Sequence, residues 1–231
     1  MIEKASTPTA TWPRAGGEMM PTRDLALSVR KITRQASERI ARRAFELAMH
    51  RRKKVTAVHK ANCFHMTDGL FLEAVREVAG SFPEVTLETL LVDACSAHLV
   101  RSPERFDVLV TTNLYGDILS DLAGELTGSL GLAGSLIAGD RLCCAQAQHG
   151  SAPDIQGQDR ANPTSMILSV AMLLAWLGEH HRSAALSRAA SAMTSAVDTV
   201  LAAPSSRTAD LGGTLGTRAF GQAVAAALPR P

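Results

Sequence analysis

Short apolar runs that alternate with segments of helical periodicity mark this as an α/β chain. Val55–Val58, Thr86–Val92 and Phe106–Thr111 have the length and β-branched content of buried strands. Amphipathic segments lie between and after them, the order that covers a sheet with helices. Gly and Pro stand between the periodic stretches, where chain reversals need them.

Residues 1–20 are rich in Thr, Pro, Ala and Gly and show neither period, so they read as an irregular arm. Leu25–Thr33 alternates apolar and polar residues as a strand does. Arg34–His50 then repeats apolar residues at helical spacing through Ile40, Ala44, Phe45 and Ala48, with Thr33 or Ser37 as its cap. The basic run Arg51–Lys54 has the composition of a nucleic-acid patch. It follows a helix and leads into a buried strand, so a solvated helix end is the better reading. Asp68–Ala79 forms a helix with Leu70, Phe71, Val75 and Val78 inward, and Pro83 closes that unit. The strand Thr86–Val92 leads to a helix ending near Val100, then to the strand Phe106–Thr111. Periodicity leaves open whether the strand after the first helix runs parallel or antiparallel to its neighbours.

Leu126–Ala138 is dense in glycine and small residues and marks the expected boundary between a domain at 21–127 and another at 128–231. Beyond it, Thr164–Leu177 and Ser183–Leu201 are long apolar-faced helices. Arg207–Gly213 is a turn or short strand, and Thr217–Leu228 is a final helix.

Composition narrows the partners. Hydrophobic residues make up 46% and charged residues 20% of 231, so a soluble core is affordable, with Leu, Val, Ile and Ala filling it because aromatics reach only 4%. A net charge of +2 gives no field that points to nucleic acid or membrane, and a small molecule is the expected ligand. Cys63, Cys95, Cys143 and Cys144 lack metal-ligand spacing and do not form a disulfide framework. No long uncharged apolar run and no secretory start is present, so the cytoplasm is the expected compartment.

Several residues carry chemistry. Asp117 and Asp121 stand four apart on a helix that follows a strand, so both carboxylates share one face. Two hard oxygen donors suit a divalent cation, although on spacing alone carboxylates that merely complement a helix dipole are the better reading. Asp93 ends an apolar strand, a place where functional groups gather in open sheets, or it caps the following helix. Lys60 lies just beyond the strand Val55–Val58. Its amine can accept a proton if burial and nearby cations depress its pKa. The stretch from His149 to Ile155 contains Gly150, Ser151, Ala152, Pro153 and Asp154, and makes a turn suited to wrapping an adenine. It lacks the Gly-x-Gly-x-x-Gly pattern of a Rossmann loop. Asp154 accepts from ribose hydroxyls and repels a 2′-phosphate, which favours NAD over NADP.

Val58-His-Lys60-Ala-Asn62, Asn113-Leu-Tyr-Gly-Asp117-Ile-Leu-Ser-Asp121 and His149-Gly-Ser-Ala-Pro-Asp-Ile155 with Ala161-Asn162-Pro163 occur in that order. In order and spacing they resemble the β-decarboxylating dehydrogenases, which include isopropylmalate, isocitrate and tartrate dehydrogenases. The resemblance runs from about Pro21 to the C-terminus. It implies an isopropylmalate dehydrogenase-like, two-domain α/β sandwich whose large, cofactor-binding domain is incomplete here, because that family carries a substantial preceding segment. It makes 21–127 the small, dimerising domain.

The resemblance also implies roles. Lys60 transfers protons and Asn62 lies near substrate or nicotinamide. Asp93, donated across a homodimer, joins Asp117 and Asp121 on Mg²⁺ or Mn²⁺. The loop His149–Ile155 and the amide of Asn162 bind the adenine end of NAD. The substrate is a malate-like 2-hydroxy di- or tricarboxylic acid, oxidised and decarboxylated. The family's substrate arginines and acid tyrosine have no match at Ile2–Pro13, and Tyr115 belongs to another motif. An inactive or accessory chain that keeps the dimer surface is therefore the alternative expectation. Ala145–Gln148, Gln156 and Gln158-Asp159-Arg160 depart from the commonest isopropylmalate form.

Overall fold

A computed structural model describes residues 17–229, so most of the expected arm at 1–20 lies outside the described residues. Close contacts divide the chain into two compact units, one extending to Leu119 and the other beginning at Ser120.

The first unit opens with β1 (Glu18–Thr22) and β2 (Leu25–Ser28), an antiparallel pair that aligns Glu18 with Ser28 and Met19 with Leu27. The last residues of the expected arm, from Glu18 to Met20, therefore belong to a strand. Both strands are mostly exposed, so no buried face imposed an alternation on β1. The expected strand Leu25–Thr33 stops at Ser28 because Thr33 is already the cap of the next helix. Its hydroxyl accepts from the Ala36 N–H at 3.3 Å, while Ser37 is buried inside the helix.

The remaining elements of this unit are α1 (Arg34–Met49), β3 (Lys54–His59), α2 (Thr67–Ala79), β4 (Thr86–Leu91), α3 (Val92–Arg101), β5 (Val108–Thr111) and the first half of α4 (Asn113–Leu126), within which the division falls. The strands form one sheet in the order β4-β3-β5, and both pairings of β3 are parallel. β3 is buried from Val55 through Val58, as a central parallel strand covered on both faces must be. Val55 and Ala57 pack with Phe45, Phe71, Val75, Val108 and Val110 in a core shared with α1 and α2. Thr56 and Val58 alternate to the other face. There Thr56 Oγ1 donates to Glu88 at 3.1 Å, and Glu88 also takes Lys54 and Arg105. Burial opposes ionisation of Glu88, but these donors outweigh it and its pKa lies below the ordinary value. Cys95 of α3 is fully buried, which pushes its thiol up to about 11.

The basic run is a chain reversal held by one acid. Asp107, with a side chain only 2% exposed, accepts from Arg51 Nε at 2.8 Å and from the Arg52 N–H at 2.9 Å. Arg52 also donates to the carbonyls of Glu104 and Phe106. The charges thus tie the end of α1 to the entry of β5.

The second unit contains β6 (Gly134–Ala138) and β7 (Cys143–Ala147), paired antiparallel, then α5 (Thr164–His180), α6 (Ala184–Ala202) and α7 (Thr217–Ala227). The glycine-rich stretch Leu126–Ala138, expected to be irregular, therefore ends in a strand. Its small residues serve packing: a Cβ on Gly134 would lie 3.0 Å from Met172 Sδ, and the Ser135 N–H donates to Ser169 Oγ of α5 at 2.9 Å. Tertiary contact overrides weak strand propensity there. α5 and α6 approach closely at Gly178, where a Cβ would sit 2.9 Å from the Ser187 nitrogen. Ala196, Val197 and Val200 of α6 and Phe220 and Val224 of α7 form the core. Among the described residues no helix is long and apolar enough to cross a membrane.

Burial opposes ionisation of Asp107, but the hydrogen bonds from Arg51 and from the Lys54 and Arg52 N–H groups hold its pKa below the usual value. A depressed carboxylate stabilises the fold above its unfolded pKa and loses that contribution as pH falls through the folded one. Asp107→Asn is expected to cost about 1–3 kcal/mol at pH 7 in urea titrations. The gap to the native chain should narrow as pH falls below about 4; a gap that stays constant with pH would refute the assignment.

Candidate active site

Parallel pairing delivers the C-terminal ends of β3, β4 and β5 to one edge of the sheet, the usual place for ligands in open α/β sheets. Lys60 follows β3, Asp93 follows β4, and Asn113 begins α4 after β5. Lys60 Nζ lies 2.6 Å from Asp93 Oδ1. Asp93 does not close β4, since that strand stops at Leu91 and Asp93 sits in the first turn of α3. A carboxylate suits that helix end, and the position still faces the sheet edge.

The pair bears on the condition set for Lys60 to accept a proton. Its hydrogen bond to Asp93 raises the lysine pKa and lowers that of Asp93. With Asp93 as its partner the amine is favoured in its charged form. Burial lowers the pKa of neighbouring His59, whose Nδ1 accepts from the Ala61 N–H at 3.1 Å. Asn62 is exposed in the turn after Lys60, where the Cys63 and Phe64 N–H groups both donate to the Lys60 carbonyl at 2.9 Å.

Asp68, which sequence reading placed only at the start of a helix, organises this edge from below. It is fully buried, pairs with Arg30, and accepts from the Lys60 N–H at 2.6 Å. Arg30 also donates to Thr67 Oγ1 at 3.0 Å and lies over the rings of Phe64 and Tyr115, at 4.8 and 5.4 Å from their centroids. The sequence signal was an acid in the first turn of an otherwise apolar helix face. Its partner stands 38 residues away and is invisible to local pattern.

Asp117 and Asp121 lie in the second and third turns of α4, one turn apart, and both are exposed. A helix-dipole role fades beyond the first turn, which weakens the bland reading of the pair. Asn113 Nδ2 lies 3.5 Å from Asp117 Oδ2, and Gln148 Nε2 lies 3.5 Å from Asp121 Oδ1. Two carboxylates on one face offer hard oxygen donors and leave positions for water and substrate, as Mg²⁺ or Mn²⁺ requires. Among the described residues no group of three or more His, Cys, Asp or Glu is placed to hold a metal ion, so Asp93 is not gathered with Asp117 and Asp121.

The loop after β7 borders a concavity of about 280 Å³ whose lining includes His149, Gly150, Ser151, Ala152, Asp159 and Thr217. Ala152 takes a left-handed backbone at φ 44°, and Pro153–Ile155 make a single 3-10 turn. Pro153 and Asp154 are exposed in that turn, and the Asp154 carbonyl accepts from Gln158 Nε2 at 2.8 Å. Asn162 is placed differently from a base-reading amide. It is 8% exposed, donates to Asp210 at 2.9 Å and accepts from the Thr164 N–H at 3.0 Å. Both ends of the amide thus anchor the start of α5. Burial opposes ionisation of Asp210, yet hydrogen bonds led by that from Ser129 hold its pKa below the ordinary value.

A family model described as isocitrate/isopropylmalate dehydrogenase matches residues 12–224. The isocitrate/homoisocitrate dehydrogenase of Thermus thermophilus is 50% identical over 206 residues, which cover 89% of this chain and 59% of the relative. Isocitrate dehydrogenase [NAD] catalytic subunit 5, mitochondrial, of Arabidopsis thaliana is 46% identical over 212 residues, or 91% of this chain and 55% of the relative. The crystal structure of isocitrate dehydrogenase from Methylococcus capsulatus superposes with a TM-score of 0.84 at 44% identity, covering 92% of this chain and 63% of that one. This chain therefore spans somewhat more than half the length of the proteins it matches. A family match over most of its residues, and half-identity to a named member along that match, make the chain a member of the isocitrate/isopropylmalate dehydrogenase family.

Proposed function

We propose that this chain serves NAD- and Mg²⁺- or Mn²⁺-dependent oxidative decarboxylation of a 2-hydroxy di- or tricarboxylic acid of the isocitrate, isopropylmalate, tartrate or malate type, in the cytoplasm. The observation that carries the reading is the Lys60–Asp93 contact of 2.6 Å at the C-terminal edge of the parallel sheet. When bound, the dinucleotide supplies the hydride acceptor and the divalent ion a Lewis acid for the hydroxyl and carboxylate oxygens. The chain's own residues do the rest. Lys60, held at the sheet edge through its backbone by Asp68, moves a proton at the substrate's C2 oxygen, and Asn62 orients the reacting end. Asp117 and Asp121 would hold the ion, with Asp93 and the Lys60 paired to it both contributed by a neighbouring copy.

Residues 21–127 act in this reading as the small, dimerising domain and 128–231 as the C-terminal part of the cofactor-binding domain. A homodimer is supported by apolar side chains left exposed on consecutive helices: Val100 of α3, and Leu114 and Ile118 of α4. The loop His149–Ile155 takes the adenine end of NAD beside the 280 Å³ concavity, and Asn162 supports that loop from behind. Asp154, exposed in the turn, faces the ribose hydroxyls and disfavours a 2′-phosphate.

The purified chain is expected to reduce NAD⁺ with Mg²⁺ on at least one of isocitrate, isopropylmalate, tartrate and malate. Asp117→Asn and Asp121→Asn should each lower kcat/KM by about 100-fold or more, partly recovered at high Mn²⁺. Turnover on none of the four, with NAD⁺ still bound, would favour an accessory chain that keeps the loop and the dimer surface. Neither turnover nor NAD⁺ binding would sink both readings.

In the same preparation, Asp154→Ser should improve NADP⁺ binding relative to NAD⁺ by at least about tenfold. An unchanged ratio of the two dissociation constants would remove Asp154 from cofactor choice.

A further inference from the structure

Gln158-Asp159-Arg160 departs from the isopropylmalate form of the motif, and nothing in the proposed reaction uses Asp159. We propose that Asp159 is a positioning residue that latches the nucleotide loop to the N-terminus of α7, setting the width of the concavity the loop borders. The inference rests on the NAD reading of that loop.

Three contacts carry it, all between stretches more than 50 residues apart. The Thr217 N–H donates to the Asp159 carbonyl at 3.0 Å, and the Arg218 N–H donates to Asp159 Oδ1 at 2.9 Å. Thr217 Oγ1 donates to the Ala161 carbonyl. The first-turn N–H groups of a helix lack intrahelical partners. α7 has Gly216 at its cap position, with no side chain to offer, and no acid in its first turn. Asp159 fills that need from outside the helix.

The fit is tight and is built from both sides. Asp159 stands at φ 54°, a left-handed backbone that Asp and Asn tolerate better than other side chains. On the helix side, a Cβ at Gly216 would collide with Asp159 Oδ2 and lie 2.7 Å from its carbonyl oxygen. Only glycine lets the loop approach this closely. Asp159, Thr217 and His149–Ala152 all line the concavity, so loss of the latch frees part of its lining.

The test uses the full chain with Asp159→Gly, Asp159→Asn and Gly216→Ala. Glycine and asparagine both accept the left-handed backbone, but only asparagine keeps an oxygen for the helix end. NAD⁺ affinity is read by calorimetry, and amide exchange of 149–157 and 217–218 by mass spectrometry. Asp159→Gly should weaken NAD⁺ about tenfold and speed exchange across 149–157 by a similar factor. Asp159→Asn should stay within about twofold of native on both readouts, and Gly216→Ala should reproduce the glycine variant. Native exchange at 149–157 in Asp159→Gly, or equal effects of glycine and asparagine, would overturn the latch. If the native chain binds no NAD⁺, the cofactor reading of the loop fails, and the exchange comparison alone decides whether Asp159 positions it.

Discussion

The parallel pairing of β3 with both neighbours is the constraint on which the first unit depends. A strand bonded in parallel on each side cannot be reached by tight turns, so every connection must cross over the sheet. The connections are α2 and α3, and with α1 they bury β3 from Val55 to Val58. Parallel direction also means that every strand ends at the same edge. Lys60 and Asp93 meet there although 33 residues separate them, because the register that aligns His59 with Leu91 sets their positions.

Carboxylates do a second kind of structural work, at places where the chain reverses. Asp107 gathers the basic turn after α1, Asp68 ties Lys60 to Arg30, and Asp210 joins Ser129 to Asn162. Asp68 and Asp210 each accept from two separate stretches of chain and Asp107 from one distant turn, so charge-assisted bonds replace the apolar contacts that a turn cannot make. The Lys60–Asp93 pair differs in exposure: Asp93 is 63% exposed, so solvent screens the bridge and its contribution to stability is small. An exposed bridge formed beside a buried acid that fixes the same lysine's backbone is organised for position more than for stability.

The parts of this molecule legible in sequence were those with a local physical signature. Thr33 before an amphipathic stretch marked the start of α1, and the apolar run Val55–Val58 marked the central strand, because cap and burial are properties of neighbouring residues. β1 was missed because its faces are mostly exposed and impose no alternation. β6 was missed because Gly134 and Ser135 are chosen for contact with α5, which pattern along the chain cannot show. The same limit applied at the site. Lys60, Asp117 and Asp121 stood out through ordered motifs and Asp93 through its place at a strand end, whereas Asp68 becomes important only once Arg30 is brought to it.

The loop from His149 to Asp159 shows how much of a motif's conformation depends on residues outside it. Ala152, Gly157 and Asp159 all take left-handed backbone within eight residues, at φ 44°, 76° and 54°. Two of these are not glycine, and each such residue costs on the order of 1 kcal/mol unless its surroundings determine it. A loop with that conformation needs anchors at its rear. Asn162 supplies one by capping α5 and bonding Asp210, so its amide is turned inward although a polar side chain in a binding motif invites an outward reading. The loop's exposed surface at Gly150 and Ser151 is then free of structural duty, because the residues behind it carry that duty. Exposed and anchored residues thus stand side by side along one motif, and burial separates them.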